Sequence, residues 1–86
     1  MWLLLISIMF LIYSKVGCTY CEKLAALMDQ HNIQYNKLTL GEDYTIDDFV
    51  EKFGRSTFPR VILEGEVIGG MRETAQYLVK NGYVTK

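Results

Sequence analysis

The chain contains only two cysteines, and they lie three residues apart in the segment Cys18-Thr19-Tyr20-Cys21, shortly after an apolar stretch. A Cys-x-x-Cys pair between a strand and a helix places its first cysteine at the helix N-terminus, where a thiolate is stabilised. A structural zinc site needs about four nitrogen or sulfur ligands. Two cysteines and the single histidine, His31, supply at most three. The pair therefore favours dithiol redox chemistry over zinc binding.

The size and charge of the chain limit its other roles. With 86 residues and 50% hydrophobic residues, we expect one small domain over residues 1–86. Such a chain buries only about 60 to 65% of its unfolded surface, which leaves no core for a large cofactor. A net charge of -1 provides no basic surface for nucleic acid. A reactive dithiol needs a reductant, which favours the cytoplasm, with the bacterial periplasm as the minority alternative.

The N-terminal segment is almost entirely apolar over residues 2–13. It is shorter than the roughly 20 residues that span a bilayer. No Lys or Arg precedes Lys15, so the basic region of a secretory signal is missing. We expect no membrane association and interpret residues 1–8 as an extension of the first strand, or as extra sequence from an upstream start codon. Deleting residues 1–8 should leave thiol activity intact.

Hydrophobic periodicity and turn residues predict seven elements in the order β-α-β-α-β-β-α. The strands are predicted at residues 9–14, 33–40, 60–63 and 67–68. The first helix is predicted at 19–31, the second between a cap at Thr45 and a stop at Gly54, and the third from Met71 to the Asn81-Gly82 cap. The expected inward stripes are Ile46, Phe49, Val50 and Phe53 in the second helix, and Met71, Ala75, Leu78 and Val79 in the third. We expect an α/β fold, a mixed four-stranded sheet with helices on both faces.

Three separated segments give the chain a resemblance to a known family. They are Lys15 with the Cys-Thr-Tyr-Cys pair, the Gly-Arg-Ser-Thr-Phe-Pro run of residues 54–59, and the Val-Ile-Gly-Gly run of residues 67–70. Together they resemble glutaredoxins, and the similarity extends over nearly all of the chain from residue 9 onward. The resemblance implies a thioredoxin-like fold and a glutathione-dependent thiol-disulfide oxidoreductase that acts in cell redox homeostasis.

The resemblance also implies roles for the two cysteines, which would form the redox disulfide. Cys18 would be the attacking thiolate, and Cys21, deeper in the helix, would resolve mixed disulfides. A free thiol with a pKa of about 8.5 is only a few per cent ionised at neutral pH. We expect the N–H groups of Tyr20 and Cys21, the helix dipole and Lys15 to lower that value. Thr19 stands where the family commonly has proline, and it restores one more N–H.

A glutathione site follows from the same resemblance. Its expected members are Lys15, Tyr20, Thr57, Phe58, Pro59, Gly70, Met71 and Arg72, with Arg55 as a helper. The Phe58-Pro59 bond is expected to be cis, so that the Phe58 backbone can pair with a cysteinyl unit. The N–H groups of Met71 and Arg72 would hold the γ-glutamyl carboxylate. Arg72 replaces an acid that many relatives carry, and Glu73 is its possible substitute.

Two rival functions remain open. One is a redoxin that thioredoxin reductase reduces and that serves ribonucleotide reductase. The other is a carrier in which two chains share a [2Fe-2S] cluster through Cys18 and two glutathiones, which we do not favour. We expect a monomer whose partners are glutathione and disulfide or glutathionylated proteins, and no resident metal. His31 should cap helix carbonyls. Arg60 is interpreted as a surface charge, with a glutathione contact as the less favoured alternative.

Overall fold

The computed structural model describes residues 9–84 and contains the seven predicted elements in the predicted order. They are β1 (Phe10–Ser14), α1 (Thr19–Gln30), β2 (Tyr35–Thr39), α2 (Ile46–Phe53), β3 (Arg60–Leu63), β4 (Glu66–Gly69) and α3 (Met71–Lys80). The bounds of β3 agree with the prediction at both ends, whereas β2 is shorter than expected. The predicted extension over residues 1–8 lies outside the described residues.

The four strands form one mixed sheet in the order β2-β1-β3-β4. Strand β1 is parallel to β2, with Phe10 opposite Tyr35, and antiparallel to β3. Strands β3 and β4 form a hairpin whose two loop residues, Glu64 and Gly65, both have positive φ angles of 52° and 84°. Two-residue loops of this kind match the twist of the paired strands. The expected mixed sheet and thioredoxin-like fold are confirmed.

The helices lie on both faces of the sheet. Alternate residues of β1 point to opposite faces, so the strand contacts helices on each side. On one face, Phe10 and Ile12 are fully buried in a core that α1 and α3 cover. The members of this core are Phe10, Ile12, Leu24, Met28, Val61, Leu63 and Leu78. On the other face, the Tyr13 ring packs against the Phe53 ring of α2, with the ring centres 5.0 Å apart. Each fully buried apolar side chain contributes about 1.5 to 3 kcal/mol to stability.

The predicted inward stripes of α2 and α3 are partly wrong. In α2, Phe49 is buried, but Ile46 and Val50 remain 50% and 40% exposed. In α3, Val79 is 37% exposed, whereas Thr74, which the stripe omitted, is fully buried. An eight-residue helix makes only about two turns, so its contact with a sheet is narrower than its apolar stripe. Helical spacing therefore overestimated the buried surface.

The ends of α2 agree with the sequence signals. The Thr45 hydroxyl accepts a hydrogen bond from the Asp48 N–H at 3.1 Å, and the Thr45 N–H donates to the Asp48 carboxylate at 3.2 Å. This reciprocal arrangement is a capping box, and such a cap stabilises a helix by about 1 kcal/mol. Gly54 ends the helix with a φ of 74°. Within residues 9–84, none of the helices has the length and apolarity that crossing a membrane requires.

Candidate redox site

Cys18 is the N-cap residue of α1, and its Sγ accepts a hydrogen bond from the N–H of Cys21 at 3.1 Å. The two cysteines form a disulfide in this structure. Cys21 is 1% exposed and Cys18 is 8% exposed, so Cys21 lies deeper, as expected. The N–H of Tyr20, the other expected donor, makes no such bond in this oxidised state of the described chain. Its bond to a Cys18 thiolate stays a prediction.

The end of β1, where the loop to Cys18 begins, is fixed by two hydrogen bonds at Ser14. The Ser14 hydroxyl donates to the Leu38 carbonyl at 2.9 Å, and the Tyr44 hydroxyl donates to the Ser14 carbonyl at 2.6 Å. Burial, with smaller effects of Tyr13 and Asp43, raises the pKa of Tyr44 to about 12. Tyr44 therefore remains a protonated donor at neutral pH. No local motif in the sequence indicates this contact, because Tyr44 and Ser14 lie 30 positions apart.

The Phe58-Pro59 peptide bond is cis, as the resemblance implied. The Phe58 ring stacks on the Phe49 ring of α2, with their centres 4.3 Å apart. On its accessible side, the Lys15 ammonium lies 5.2 Å from the Phe58 ring centre. These contacts join the proline loop to Lys15, three residues before Cys18. Two of the segments that carry the resemblance are thus brought together.

Arg60 holds the same loop, which the sequence analysis did not expect of a surface charge. Its Nε donates to the Thr57 carbonyl at 3.0 Å, and its Nη2 donates to the Thr57 hydroxyl at 3.3 Å. A planar guanidinium can make two such bonds at once, which favours one loop conformation. The sequence offered one indication of this contact, which is that Arg60 follows Thr57 by three residues, on the other side of the cis proline. Arg60 is a positioning residue for Thr57.

The glycine pair packs against the proline loop. A Cβ on Gly70 would lie 3.4 Å from the Pro59 carbonyl oxygen, so the close approach leaves little room for a side chain. Gly69 has a φ of 132°, a conformation that favours glycine. Met71 and Arg72 follow as the first residues of α3, whose N–H groups have no partner within the helix. The third segment is thus placed beside the second.

Glu73 carries a depressed pKa in the first turn of α3. The largest causes are hydrogen bonds from the backbone N–H groups of Glu73 and Gly70, followed by the charges of Arg60 and Arg72. The Gly70 N–H donates to the Glu73 carboxylate at 3.0 Å. The carboxylate is therefore already used as a helix cap. Its possible contact with a glutathione ammonium stays a prediction.

The remaining candidates lie around this centre. Tyr20 is 60% exposed beside the cysteine pair. Arg55 and Thr57 line a common groove of about 530 Å³ between α2 and the proline loop. The Nδ1 of His31 lies 3.0 Å from the Leu27 carbonyl at the end of α1, which confirms its capping role. No three His, Cys, Asp or Glu side chains of residues 9–84 are grouped as metal ligands.

Comparison with protein families gives one match over most of the described chain. The family model described as Glutaredoxin matches residues 10–68. Among curated proteins, glutaredoxin 3 of Escherichia coli is 28% identical over 60 residues, which cover 69% of this chain and 72% of that protein. The hybrid peroxiredoxin hyPrx5 of Haemophilus influenzae is 33% identical over 66 residues. That match covers 77% of this chain but only 27% of the peroxiredoxin.

Solved structures agree with this match. Glutaredoxin 1 from Francisella tularensis, complexed with cacodylate, has a TM-score of 0.74 and covers 91% of this chain and 100% of its own. At 22% identity, it supports the fold alone. A buckwheat glutaredoxin-glutathione complex has a TM-score of 0.70 at 26% identity, and the alignment covers 86% of this chain and 70% of that one.

Proposed function

The chain belongs to the glutaredoxin family and is a thiol-disulfide oxidoreductase, and from that premise we propose that glutathione is its reductant. Its substrates in this proposal are protein disulfides and glutathione mixed disulfides. The observation that carries the proposal is the position of Cys18, at the N-cap of α1, with a main-chain donor on its sulfur and Cys21 as its disulfide partner.

Cys18 begins the reaction as a thiolate. Lowering its pKa by about 3 units requires roughly 4 kcal/mol of preferential stabilisation of the anion. The helix dipole supplies about 0.3 to 1 kcal/mol, and up to about 2 in a partly buried site. Each hydrogen bond from a main-chain N–H to the charged sulfur adds about 1.5 to 3 kcal/mol. One or two such bonds, with the charge of Lys15, therefore close the gap.

The exchange then follows two routes. The Cys18 thiolate attacks a glutathione mixed disulfide, releases the protein thiolate and becomes glutathionylated, and a second glutathione thiolate attacks this adduct to give oxidised glutathione. With a protein disulfide, Cys18 forms a mixed disulfide and Cys21 attacks the Cys18 sulfur. The second substrate thiolate leaves, and two glutathiones reduce the Cys18-Cys21 disulfide.

Glutathione would bind along the three segments that the fold brings together. The backbone of Thr57 and Phe58, before Pro59, would pair with the cysteinyl unit. Lys15 and Arg55 would bind the glycyl carboxylate as cations. The similarity to a glutaredoxin that was solved as a glutathione complex supports this arrangement.

The opposite end of the tripeptide would lie at the start of α3. The N–H groups of Met71 and Arg72, after Gly70, would hold the γ-glutamyl carboxylate, because the first N–H groups of a helix attract anions. Tyr20, exposed beside the pair, would cover the bound cysteinyl sulfur. Arg72 adds a positive charge at this end, where a carboxylate binds better than an ammonium group.

Partners and location are part of the same proposal. We expect a monomer in the cytoplasm that acts on glutathionylated and disulfide-containing proteins, with ribonucleotide reductase as one candidate. A shared [2Fe-2S] cluster is not favoured. Anaerobic reconstitution that produced a brown dimer would favour it instead.

Paired cysteine variants test the proposal. Cys18→Ser should abolish turnover of a glutathionylated peptide by glutathione and glutathione reductase. Cys21→Ser should keep that activity and lose the reduction of protein disulfides. Replacing glutathione and glutathione reductase by thioredoxin reductase should support little turnover of the wild type. Faster turnover with thioredoxin reductase than with glutathione would contradict glutathione as the reductant.

A further inference from the structure

A second depression opens beside the cysteine pair, apart from the proline loop and the glycine pair. It is a cleft of about 180 Å³ between the end of β1, the first turn of α1 and strand β2. Its polar and ionisable lining consists of Ser14, Lys15, Cys21, Glu22, Lys37 and Thr39. We call it the Cys21 cleft. None of the glutathione contacts proposed above uses Lys37, Glu22 or Thr39.

Strand β2 places Lys37 on the side of the sheet that α1 covers. Tyr35, two residues earlier, donates its hydroxyl to the Asp29 carboxylate of α1 at 3.0 Å. Residues two apart in a strand point to the same face, so Lys37 projects toward α1 as well. In the parallel pairing, Lys37 lies opposite Ile12, and Thr39 lies opposite Ser14 at the end of β1. This register is consistent with the position of Lys37 in the lining of the cleft.

The charges around the cleft have an excess of one cation. Lys15 comes from the loop before α1, Lys37 from β2, and Glu22 from the first turn of α1. Cys21 is 1% exposed. Burial disfavours the charged form of a thiol, so Cys21 needs a compensating positive charge before it can act as a nucleophile.

We propose that the Cys21 thiol releases its proton into this cleft and that Lys37 favours the release. The proton passes to water in the cleft. The Cys21 thiolate then attacks the Cys18 sulfur of the mixed disulfide, the Cys18-Cys21 bond forms, and the bond from Cys18 to the substrate sulfur breaks. The substrate leaves as a thiolate, so no further oxidant is required. This inference rests on the dithiol mechanism proposed above.

Stopped-flow reaction with 2,2′-dithiodipyridine separates the two sulfurs. Attack by Cys18 on the reduced wild type releases one thiopyridone at a rate proportional to probe concentration. Attack by Cys21 on the adduct releases a second at a rate independent of that concentration. Removing one unit charge from a cleft that is open to solvent shifts the titration of a neighbouring group by on the order of 0.3 to 0.5 pH units. Lys37→Gln should therefore raise the pH midpoint of the second release and slow it roughly two- to threefold below that midpoint.

Further variants make the result specific. Glu22→Gln should shift the second midpoint downward by a similar amount, and Lys37→Arg should keep the wild-type value. Lys52→Gln removes the same charge from α2, on the other face of the sheet, and should shift neither midpoint. The inference is overturned when Lys37→Gln leaves the second midpoint unshifted, as Lys52→Gln should. It is also overturned when Lys37→Gln shifts the midpoints of the first and second releases by the same amount. Should Lys37→Gln not fold, Lys37→Met removes the same charge and should shift the second midpoint upward in the same way.

The same experiment distinguishes the two levels of proposal. A wild type that releases only one thiopyridone has no resolving Cys21, and this result would overturn the dithiol mechanism itself. Two releases with an unshifted second midpoint in Lys37→Gln would overturn the role of the cleft alone.

Discussion

The Lys15 ammonium lies 5.2 Å from the centre of the Phe58 ring, and this contact couples the cation before the cysteine pair to the cis-proline loop. A cation over an exposed aromatic ring gains about 0.5 to 1 kcal/mol. That energy is enough to favour one position of the flexible Lys15 side chain. It is too small to prevent the ammonium group from moving to bind a carboxylate. We therefore expect Phe58 to preorganise Lys15 for the anionic substrate proposed above.

The first prediction concerns a variant in which the aromatic ring of Phe58 is removed. Phe58→Leu should raise the KM for a glutathionylated peptide about two- to fivefold with little change in kcat, because the lost contact of about 0.5 to 1 kcal/mol orients Lys15. Steady-state kinetics measure this. Phe53→Leu is the matched control, since Phe53 packs on the Phe49 ring at 4.9 Å within the same aromatic cluster. It should lower the melting temperature while leaving KM unchanged. Equal KM values for the two variants would contradict the preorganisation.

The second prediction concerns Thr19, the first residue of α1. Proline is well tolerated at this position of a helix, so Thr19→Pro should fold. It removes one N–H near the Cys18 sulfur and should raise the pKa of Cys18 or leave it unchanged. Thr19→Ala keeps the N–H and removes only the hydroxyl, which separates the two contributions. Ultraviolet titration of the thiolate measures both, and a clear fall in the pKa of Thr19→Pro would argue against main-chain stabilisation.

The third prediction follows from the lowered pKa of Glu73. A carboxylate whose folded-state pKa lies below its ordinary value of 4.5 stabilises the fold above that pH. The stabilisation is lost as the pH falls through the lower folded value. Glu73→Gln should therefore melt at a lower temperature than wild type near neutral pH, and the difference should shrink at acid pH. Glu66→Gln, at an exposed position of β4, is the control. A Glu73→Gln difference that persists unchanged at acid pH would exclude the charged cap.

The fourth prediction concerns the Thr74 hydroxyl, which is buried and has no hydrogen-bond partner among the described residues. Burying an unpaired polar group costs about 1 to 3 kcal/mol. Thr74→Val keeps the shape of the side chain and removes that group. Urea denaturation should show a stability gain of about 1 kcal/mol. A loss of stability would mean that the hydroxyl is satisfied by water in solution.

The sequence predicted most of the fold because its local signals agree with one another. Thr45 could be identified as the cap of α2, and the bounds of β3 followed from its apolar run and the turn after it. The exposure of Ile46 and Val50 could not be predicted, since helical spacing shows which residues are apolar but not how wide a surface meets them. The burial of Thr74 was not predicted, because a stripe drawn through apolar residues leaves out a polar side chain that faces the core.

The motifs of the candidate site could be identified from the sequence, but the contacts that support them could not. The resemblance supplied Cys18, the proline loop and the glycine pair, because each is a short local motif. The supports that position them could not be predicted. The bonds of Arg60 to Thr57 depend on the conformation of the loop, and the bond of Tyr44 to Ser14 joins residues 30 positions apart. Such contacts exist only once the sheet has formed.

Alkylation of Cys18 as a function of pH tests the central claim most directly. In the Cys21→Ser variant, the rate of reaction with iodoacetamide reports the ionised fraction of one sulfur. We predict a midpoint several pH units below the value of about 8.5 for a free thiol. A midpoint near that of a free thiol, or a sulfur that iodoacetamide does not reach in the folded protein, would contradict it.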